Sequence, residues 1–382
     1  MPTNQKGKAM RAAIVGSGGI ARIHAALIEQ IGGQVVAICG RTLAGAQSLP
    51  FGQAYDNLAA MLRAERPDVV HVCSPNYLHK EHTLAALEAG AHVFCEKPLG
   101  TTGDEAALMV EAAEKAGRIG AVGYCYRGYS AIRELRLAVT SARFGDLRRV
   151  CGEYLSHDVL DPAKYVWHFT PGMCGPAFVL LDYGVHWFDL VEYVTGSRFV
   201  EISSQFTTHQ RRRVWRGLPG EGPRPPQGKE RADGGVEVEI GLEDHADLLF
   251  RLSNGAGGSV TVFPASSGNP NHIVLSIDGS QGGFDWCQET ADCFVDRSGG
   301  DKALRHRDPS RLPAETGGLV APPMGHPEGY LDAFRHIIDA AWRAMRGEGV
   351  SYPSFKAGLR GNTIVDAAVE SARRRRPIDV KP

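Results

Sequence analysis

No apolar run in this chain of 382 residues approaches the roughly 20 needed to cross a bilayer. The polar start Met1–Lys8 also lacks the apolar core of a signal peptide, and the chain is expected to be cytoplasmic. Net charge is nearly absent: 42 Lys and Arg face 43 Asp and Glu, leaving −1. A chain without a global field has nothing to draw it to nucleic acid or to an anionic membrane, so small molecules are the expected partners. Eight cysteines are present, but no Cys-x-x-Cys occurs. That excludes the common zinc spacings and a disulfide framework, and no metal is expected. Cys39, Cys73, Cys95 and Cys125 lie in or at the ends of apolar runs and read as reduced structural thiols. The length suits two domains with a sizeable core, and no internal repeat is visible.

The first third alternates short apolar runs with helical patterns. Met10–Val15 precedes Gly16-Ser17-Gly18-Gly19-Ile20-Ala21, and a helical pattern follows from Arg22 to Gln30. In this strand, tight turn and helix, Gly16 permits the turn, Gly18 lets backbone approach a pyrophosphate, and Ala21 lets the helix pack closely. Val35–Cys39 supplies a second strand. Helices are expected at Leu58–Ala64, Lys80–Ala89 and Thr102–Ala116, the last capped by Thr102 with Glu105 three residues on. Strands at Val69–Val72, His92–Cys95 and Ile119–Tyr124 complete a βαβ alternation, hence a doubly wound parallel sheet of Rossmann type over residues 1–125. After Ser130 the pattern changes. Val150–His157, Val200–His209, Val236–Ile240, His245–Leu252, Gly258–Phe263, His272–Asp278 and Gly283–Gln288 read as strands of one open, mostly antiparallel sheet, and a second α/β domain is expected over 126–382. Arg211–Gly235 and Arg297–Pro327 read as long exposed loops. The basic run Arg373–Arg376 closes a helix beginning near Phe355. It has no interleaved aromatics to stack on bases, so it reads as a solvated helix end.

Cofactor chemistry is read from the strand ends. After the second strand stands Gly40-Arg41-Thr42, with no carboxylate to accept from a ribose diol. Arg41 is placed to hold a 2′-phosphate, which favours NADP. An Arg41 stacked over adenine or lying in solvent leaves NAD open. His92-Val93-Phe94-Cys95 runs into Glu96-Lys97-Pro98, which puts an ammonium at the end of a buried strand beside the dinucleotide site. Near an oxidised nicotinamide and away from water, Lys97 is expected to have a lowered pKa and to serve as proton acceptor. A helix over Leu181–Asp189 would align Asp182, His186, Asp189 and Tyr193 on one stripe, with a carboxylate and an imidazole one turn apart to hold a hydroxyl. Tyr124 and Arg127 follow a strand end on the cofactor side and are candidate substrate contacts. Trp167 is a candidate stacking surface for a pyranose face. His24, in the first helix, reads as packing.

Taken together, Gly16-x-Gly18-x-x-Ala21, Ser74-Pro75-Asn76 with His79, the Glu96-Lys97-Pro98 triplet and Asp182-x-Gly184-x-His186 resemble the glucose-fructose oxidoreductase, inositol dehydrogenase and rhizopine-catabolism (MocA) family over nearly the whole chain. The resemblance implies a Rossmann domain followed by an α/β domain with an open sheet, and sheet-mediated homodimers or homotetramers. It implies catalytic roles for Lys97, Asp182 and His186, substrate contacts from the same three, and cofactor contacts from Gly16, Ser17, Gly18, Gly19, Ile20, Gly40, Arg41, Thr42, Ser74, Pro75, Asn76, His79, Glu96 and Lys97. Tyr165-Val166-Trp167-His168 and His326-Pro327-Glu328-Gly329-Tyr330 look like a longer-chain subgroup that oxidises sugars and cyclitols. The implied reaction is hydride transfer between NADP or NAD and a secondary alcohol of a sugar or inositol-like cyclitol. Which of Lys97 and His186 is the base stays open. Two alternatives are a relative that cleaves glycosides through transient oxidation and a non-catalytic sugar sensor on the same fold. Where many members carry glycines, this chain has Pro176-Ala177-Phe178-Val179, and a Phe178 lining the pocket would narrow it.

Overall fold

The structure is a computed structural model that describes residues 9–218, 227–312 and 322–382. The start Met1–Lys8 and stretches of the two expected loops, 219–226 and 313–321, lie outside the described residues. The first sheet has the order β3-β2-β1-β4-β5-β6, from β1 (Arg11–Val15), β2 (Gln34–Cys39), β3 (Gln53–Tyr55), β4 (Val69–Val72), β5 (His92–Cys95) and β6 (Gly120–Val122). All its pairings are parallel. Its central strands are almost wholly buried, as a parallel sheet covered on both faces requires. From β1 the chain moves to β2 on one side and later returns to β4 on the other. The carboxyl ends of β1 and β4 therefore flank the crevice where such sheets bind ligands.

The covering helices start where the sequence supplies caps. Asn57 Oδ1 accepts from Ala60 N at 2.8 Å to open α3 (Leu58–Glu65). Thr102 Oγ1 accepts from Glu105 N at 3.3 Å to open α5 (Gly103–Lys115), while the Glu105 carboxylate takes the N–H and hydroxyl of Thr101.

Among the described residues the second sheet has nine strands, β7 (Leu147–Leu155), β8 (Phe199–Thr207), β12 (His245–Leu252), β13 (Gly257–Phe263), β14 (His272–Gly279), β15 (Gly283–Cys287), β16 (Cys293–Asp296), β17 (Ala303–His306) and β18 (Ile378–Asp379), ordered β17-β16-β15-β14-β7-β13-β12-β8-β18. Every pair is antiparallel except β7 (Leu147–Leu155) with β13 (Gly257–Phe263). Helix α8 (Val185–Thr195) lies on its inner face, where Trp187 is fully buried against Phe199 and Phe250 and its indole N–H donates to Val274 O at 2.9 Å. Along β12 (His245–Leu252) buried and exposed residues alternate, so Asp247, Leu249 and Arg251 point outward.

Two expectations are corrected. Val236–Ile240 does not join the large sheet: β11 (Val236–Glu239) pairs with β9 (Arg212–Trp215) and β10 (Lys229–Glu230) in a separate three-stranded ribbon. Its Val-Glu alternation finds a match in Arg212-Arg213-Val214-Trp215, which the surrounding Arg, Gly and Pro hid within an expected loop. The other expected loop contains β17 (Ala303–His306), paired with β16 (Cys293–Asp296).

The last two long helices tie the sheets together. Helix α9 (Tyr330–Met345) packs on α1 (Gly19–Gln30) and β5. Helix α10 (Phe355–Arg374) packs on α5, α8 and β8 (Phe199–Thr207). Helix α9 meets the turn Cys125–Gly128 closely: His336 Nδ1 lies 2.9 Å from Gly128 O, and a Cβ on Gly128 would sit 1.9 Å from Ala333 O. Only glycine fits there. We expect Gly128→Ala to force α9 off this turn and cost about 1–3 kcal/mol, read as a lower urea midpoint with unchanged slope; an unshifted midpoint contradicts the close approach.

Candidate active site

The crevice at the strand ends is a cleft of about 1590 Å³ that continues to the elements covering the large sheet. Gly16 has φ +122°, and a Cβ there would meet Cys73 O at 2.4 Å, so no other residue fits the turn. Where a Gly18 side chain would project, nothing lies within 4 Å. Gly18 is also the N-cap of α1 and gives its first amides no side-chain partner. Open space in front of free helix amides fits the pyrophosphate of a dinucleotide. Ser17 and Ile20 complete this wall, and Gly40 and Arg41 extend it.

The loop after β4 brings Ser74, Pro75, Asn76 and His79 to the cleft. The His79 ring lies between two carbonyls, 2.8 Å from Ser74 O through Nε2 and 2.8 Å from Pro98 O through Nδ1. It staples the Ser74–Asn76 loop to the turn carrying Lys97, where the Lys97–Pro98 peptide is cis.

At the reaction end Lys97 Nζ donates to the Asp182 carboxylate and, at 2.9 Å, to Asp182 O. Burial favours the neutral amine, but the Asp182 charge and hydrogen bond, with Glu96 behind them, outweigh it and raise the Lys97 pKa. The expected lowering is thus reversed, because the sequence did not reveal the direct contact with Asp182. Burial also opposes ionisation of Asp182, yet Lys97 and His168 bring it down to about 2. His186 is buried, and burial followed by the Lys97 charge hold its pKa well below the ordinary imidazole value, so the ring is neutral. Its Nδ1 has no partner among the described residues, and its ring stands edge-on to Tyr126 at 4.9 Å.

The expected stripe reaches the cleft only at its start. A π-helical turn over Leu180–Gly184 precedes α8, and Asp182 on that turn and His186 on α8 both line the cleft. Asp189 turns to Arg127, accepting from Nε at 2.6 Å, while the Arg127 guanidinium lies 4.7 Å over the Tyr193 ring. Arg127 is therefore spent on a buried pair and is not part of the cleft wall. Tyr124 is also off the wall, buried behind His186 with its hydroxyl against Gly361. Gly19 does not line the cleft, and the Thr42 hydroxyl accepts from Gly45 N at 3.1 Å to cap α2 (Leu43–Gln47). Phe178 packs against Phe169, His168 and Tyr183 from behind and does not narrow the pocket.

Several wall residues carried no pattern in the sequence. His168 Nε2 lies 3.8 Å from Asp182 Oδ2, its ring stacked at 3.7 Å on Trp167, which lines the cleft as expected. Tyr126, Tyr154 and Asn271 close a hydrogen-bonded triangle with sides of 3.0, 2.9 and 3.1 Å. They come from three segments that only the fold assembles. Asp56, just after β3, places a carboxylate on the same wall as Arg41, where the end of the second strand showed none. The one group of metal-ligand types among the described residues, His272, Cys287 and Glu289, belongs to the large sheet outside this cleft.

Comparison with known proteins places these features. Residues 10–124 match the model of the oxidoreductase family with an NAD-binding Rossmann fold, and residues 132–285 match the GFO/IDH/MocA C-terminal domain. A levoglucosan dehydrogenase of Pseudarthrobacter phenanthrenivorans is 29% identical over 360 residues, spanning 91% of this chain and 89% of that protein. A D-glucoside 3-dehydrogenase of Escherichia coli is 38% identical over 193 residues, 49% of this chain and 54% of that protein. In fold, a levoglucosan dehydrogenase solved with NADH and levoglucosan superposes with a TM-score of 0.86 at 23% identity, over 98% of this chain and all of that one. With both halves matched, the chain is a member of the Gfo/Idh/MocA family of oxidoreductases.

Proposed function

We propose that the protein is a nicotinamide-dependent dehydrogenase that reversibly oxidises a secondary alcohol of a sugar or cyclitol, with Lys97, Asp182 and His186 at its reaction centre. The observation that carries this reading is the meeting of a Lys97–Asp182 pair with a neutral, unpartnered imidazole at the inner end of the dinucleotide cradle. A bound nicotinamide would supply the acceptor for the hydride of the carbinol carbon. Lys97 and the neutral His186 bind the reacting hydroxyl; the Lys97 ammonium first releases a proton to solvent, and the amine so left receives the hydroxyl proton. Asp182 stabilises the ammonium so formed, and in the reverse direction it keeps Lys97 charged as the acid. The polar triangle of Tyr126, Tyr154 and Asn271 offers hydrogen bonds to further hydroxyls, and Trp167 offers a flat ring for a pyranose face. The names of the two relatives favour a pyranoside or anhydrosugar within this substrate class. Buried free thiols at Cys39, Cys73, Cys95 and Cys125 suit a reducing, cytoplasmic setting.

Lys97→Met should abolish turnover and leave cofactor affinity nearly unchanged, since a general acid or base contributes roughly 10²–10⁴ in rate. Sugars and cyclitols mixed with each oxidised cofactor and followed by nicotinamide absorbance provide the measurement. Retention of more than about a tenth of the wild-type rate removes Lys97 from this role. Net accumulation of reduced cofactor separates the dehydrogenase from a glycosidase working by transient oxidation, and turnover of any kind separates it from a sensor.

For the cofactor, NADP is the proposed preference. Arg41 is exposed on the cleft wall and offers a forked cation to a 2′-phosphate, a contact worth about 1.5–3 kcal/mol. Arg41→Ala should erase most of a roughly ten- to hundredfold preference in titration, and wild-type binding of NAD as tight as NADP would place Asp56 rather than Arg41 in charge. Gly40→Asp is not a clean reversal, because a Cβ there would sit 2.9 Å from Ala46 N and from Thr42 O.

The assembly is proposed to be a homodimer or homotetramer joined through the outer face of the large sheet. That face carries the exposed Leu249 among polar residues, with Phe263 and Val274 half-buried beside them. Light scattering at micromolar concentration should give a multiple of the chain mass, and a monomer would refute it.

A further inference from the structure

Behind Lys97 runs a line of four buried polar side chains that the proton transfer at Lys97 does not use. Trp342 Nε1 donates to His71 Nε2 at 3.0 Å, His71 Nδ1 lies 2.8 Å from His24 Nδ1, and His24 Nε2 lies 2.9 Å from Glu96 Oε1. His24 and His71 are wholly buried, Trp342 is 1% exposed, and Glu96 is 8% exposed where it reaches the cleft wall. The other Glu96 oxygen accepts from Lys97 N at 3.2 Å. The rings are clamped: His71 stacks on Phe94 at 5.0 Å, His24 stands edge-on to Phe334 at 4.9 Å, and Gly33 leaves room for the Trp342 ring.

Elementary hydrogen-bond chemistry gives this line a direction. An indole N–H can only donate, so His71 Nε2 must be a lone pair. A neutral His71 then carries its proton on Nδ1 and donates to His24 Nδ1, which leaves the His24 proton on Nε2, facing Glu96. An added proton finds no place, because on His71 Nε2 it would confront the indole N–H and on His24 Nδ1 it would confront the His71 N–H. Burial together with the neighbouring His24 also pushes the His71 pKa well below the ordinary value.

We propose that Trp342 is a positioning residue that sets the polarity of this relay, so that Glu96 always stands at its end as the hydrogen-bond acceptor, a carboxylate held beside Lys97 with no imidazolium to offset its charge. The link to catalysis rests on the reading of Lys97 as the proton acceptor. Lys97 is faced by Glu96, by Asp182 and His186 from the π turn and α8, and by His168, His79 and Cys125. Glu96 is faced in turn by Cys73 and Cys95, whose thiols burial keeps protonated, and by Tyr330. Among these, Glu96 and Asp182 are the carboxylates that favour the ammonium form of Lys97. Without the indole donor the relay is free to reverse, with the His71 proton moving to Nε2, His24 donating back to His71, and Glu96 taking up a proton to donate to His24. Protons are only redistributed in that reversal, apart from the one Glu96 takes from solvent.

Two measurements on the full-length protein test this. With histidine labelled at the ring nitrogens, and signals assigned through His24→Gln and His71→Gln, nitrogen NMR should show His71 protonated at Nδ1 and His24 at Nε2, with His71 neutral throughout pH 6 to 9. The opposite tautomer, or His71 titrating in that range, overturns the proposal whatever Lys97 does. In Trp342→Phe, which keeps an aromatic ring in place, the acid limb of the pH profile for sugar oxidation should move to lower pH by about half a unit. That is roughly threefold in rate at a fixed pH on the limb, since one unit is tenfold. Glu96→Gln should move it in the same direction. A uniform fall in rate with the limb unmoved in both variants overturns the coupling to Lys97. If Trp342→Phe does not fold, the wild-type tautomers and the Glu96→Gln limb decide. Activity surviving in Lys97→Met would retire the lysine reading while the tautomer result stands by itself.

Discussion

A buried charge must be paired, and in this protein that constraint falls on Lys97. Its ammonium sits at the end of a strand of the first sheet, and its counter-ion, Asp182, enters from the π turn that leads onto the second. Neither domain satisfies the pair alone. The proposed reaction centre therefore forms only where the two sheets are held in register, and much of the surrounding structure holds them so.

Three sets of contacts do this. His79 staples two loops of the first sheet to each other, fixing where Lys97 emerges. Helix α9 is seated by the close approach at Gly128, while Glu328, just before it, caps the start of the helix at Ser130–Val139 by accepting from the Ser130 backbone and hydroxyl at 2.8 and 3.0 Å. Asn362 on α10 bonds both backbone groups of Gly100, its amide donating to the carbonyl at 2.6 Å. The same α9 brings Trp342 to the histidine pair and Tyr330 and Phe334 to the cleft. Docking a late helix on an early sheet thus serves stability and site geometry together. Glu243 works in the same manner on α8: buried, its carboxylate accepts from Val179 N at 2.9 Å at the entrance to the turn that carries Asp182.

Local chemistry is what could be read along the chain. The glycine turn, the cap at Thr102 and the strand-end lysine each depend on residues within a few positions of one another, so spacing alone exposed them. The alternation of strands and helices announced the first sheet for the same reason. The ribbon of β9, β10 and β11 was misplaced because alternation marks a strand without naming its partner. Of the stripe from Asp182 to Tyr193 only Asp182 and His186 reach the cleft, because Asp189 and Tyr193, further along α8, meet Arg127, which no helical period could announce. Arg127 reads as a substrate contact from its place after a strand end, but the partner that holds it, Asp189, lies 62 positions away, where no local pattern links the two.

The sequence by itself determined the family and the fold class, and it brought forward the glycine turn and Lys97, Asp182 and His186 as candidates. Only the tertiary structure decided what state those residues are in. Lys97 is charged because Asp182, 85 positions away, touches it, and His186 is neutral because burial and that ammonium make it so. The direction of the relay behind Glu96 depends on an indole 271 positions from the histidine it meets. Protonation and orientation are properties of distance and exclusion of water, and a linear pattern carries neither.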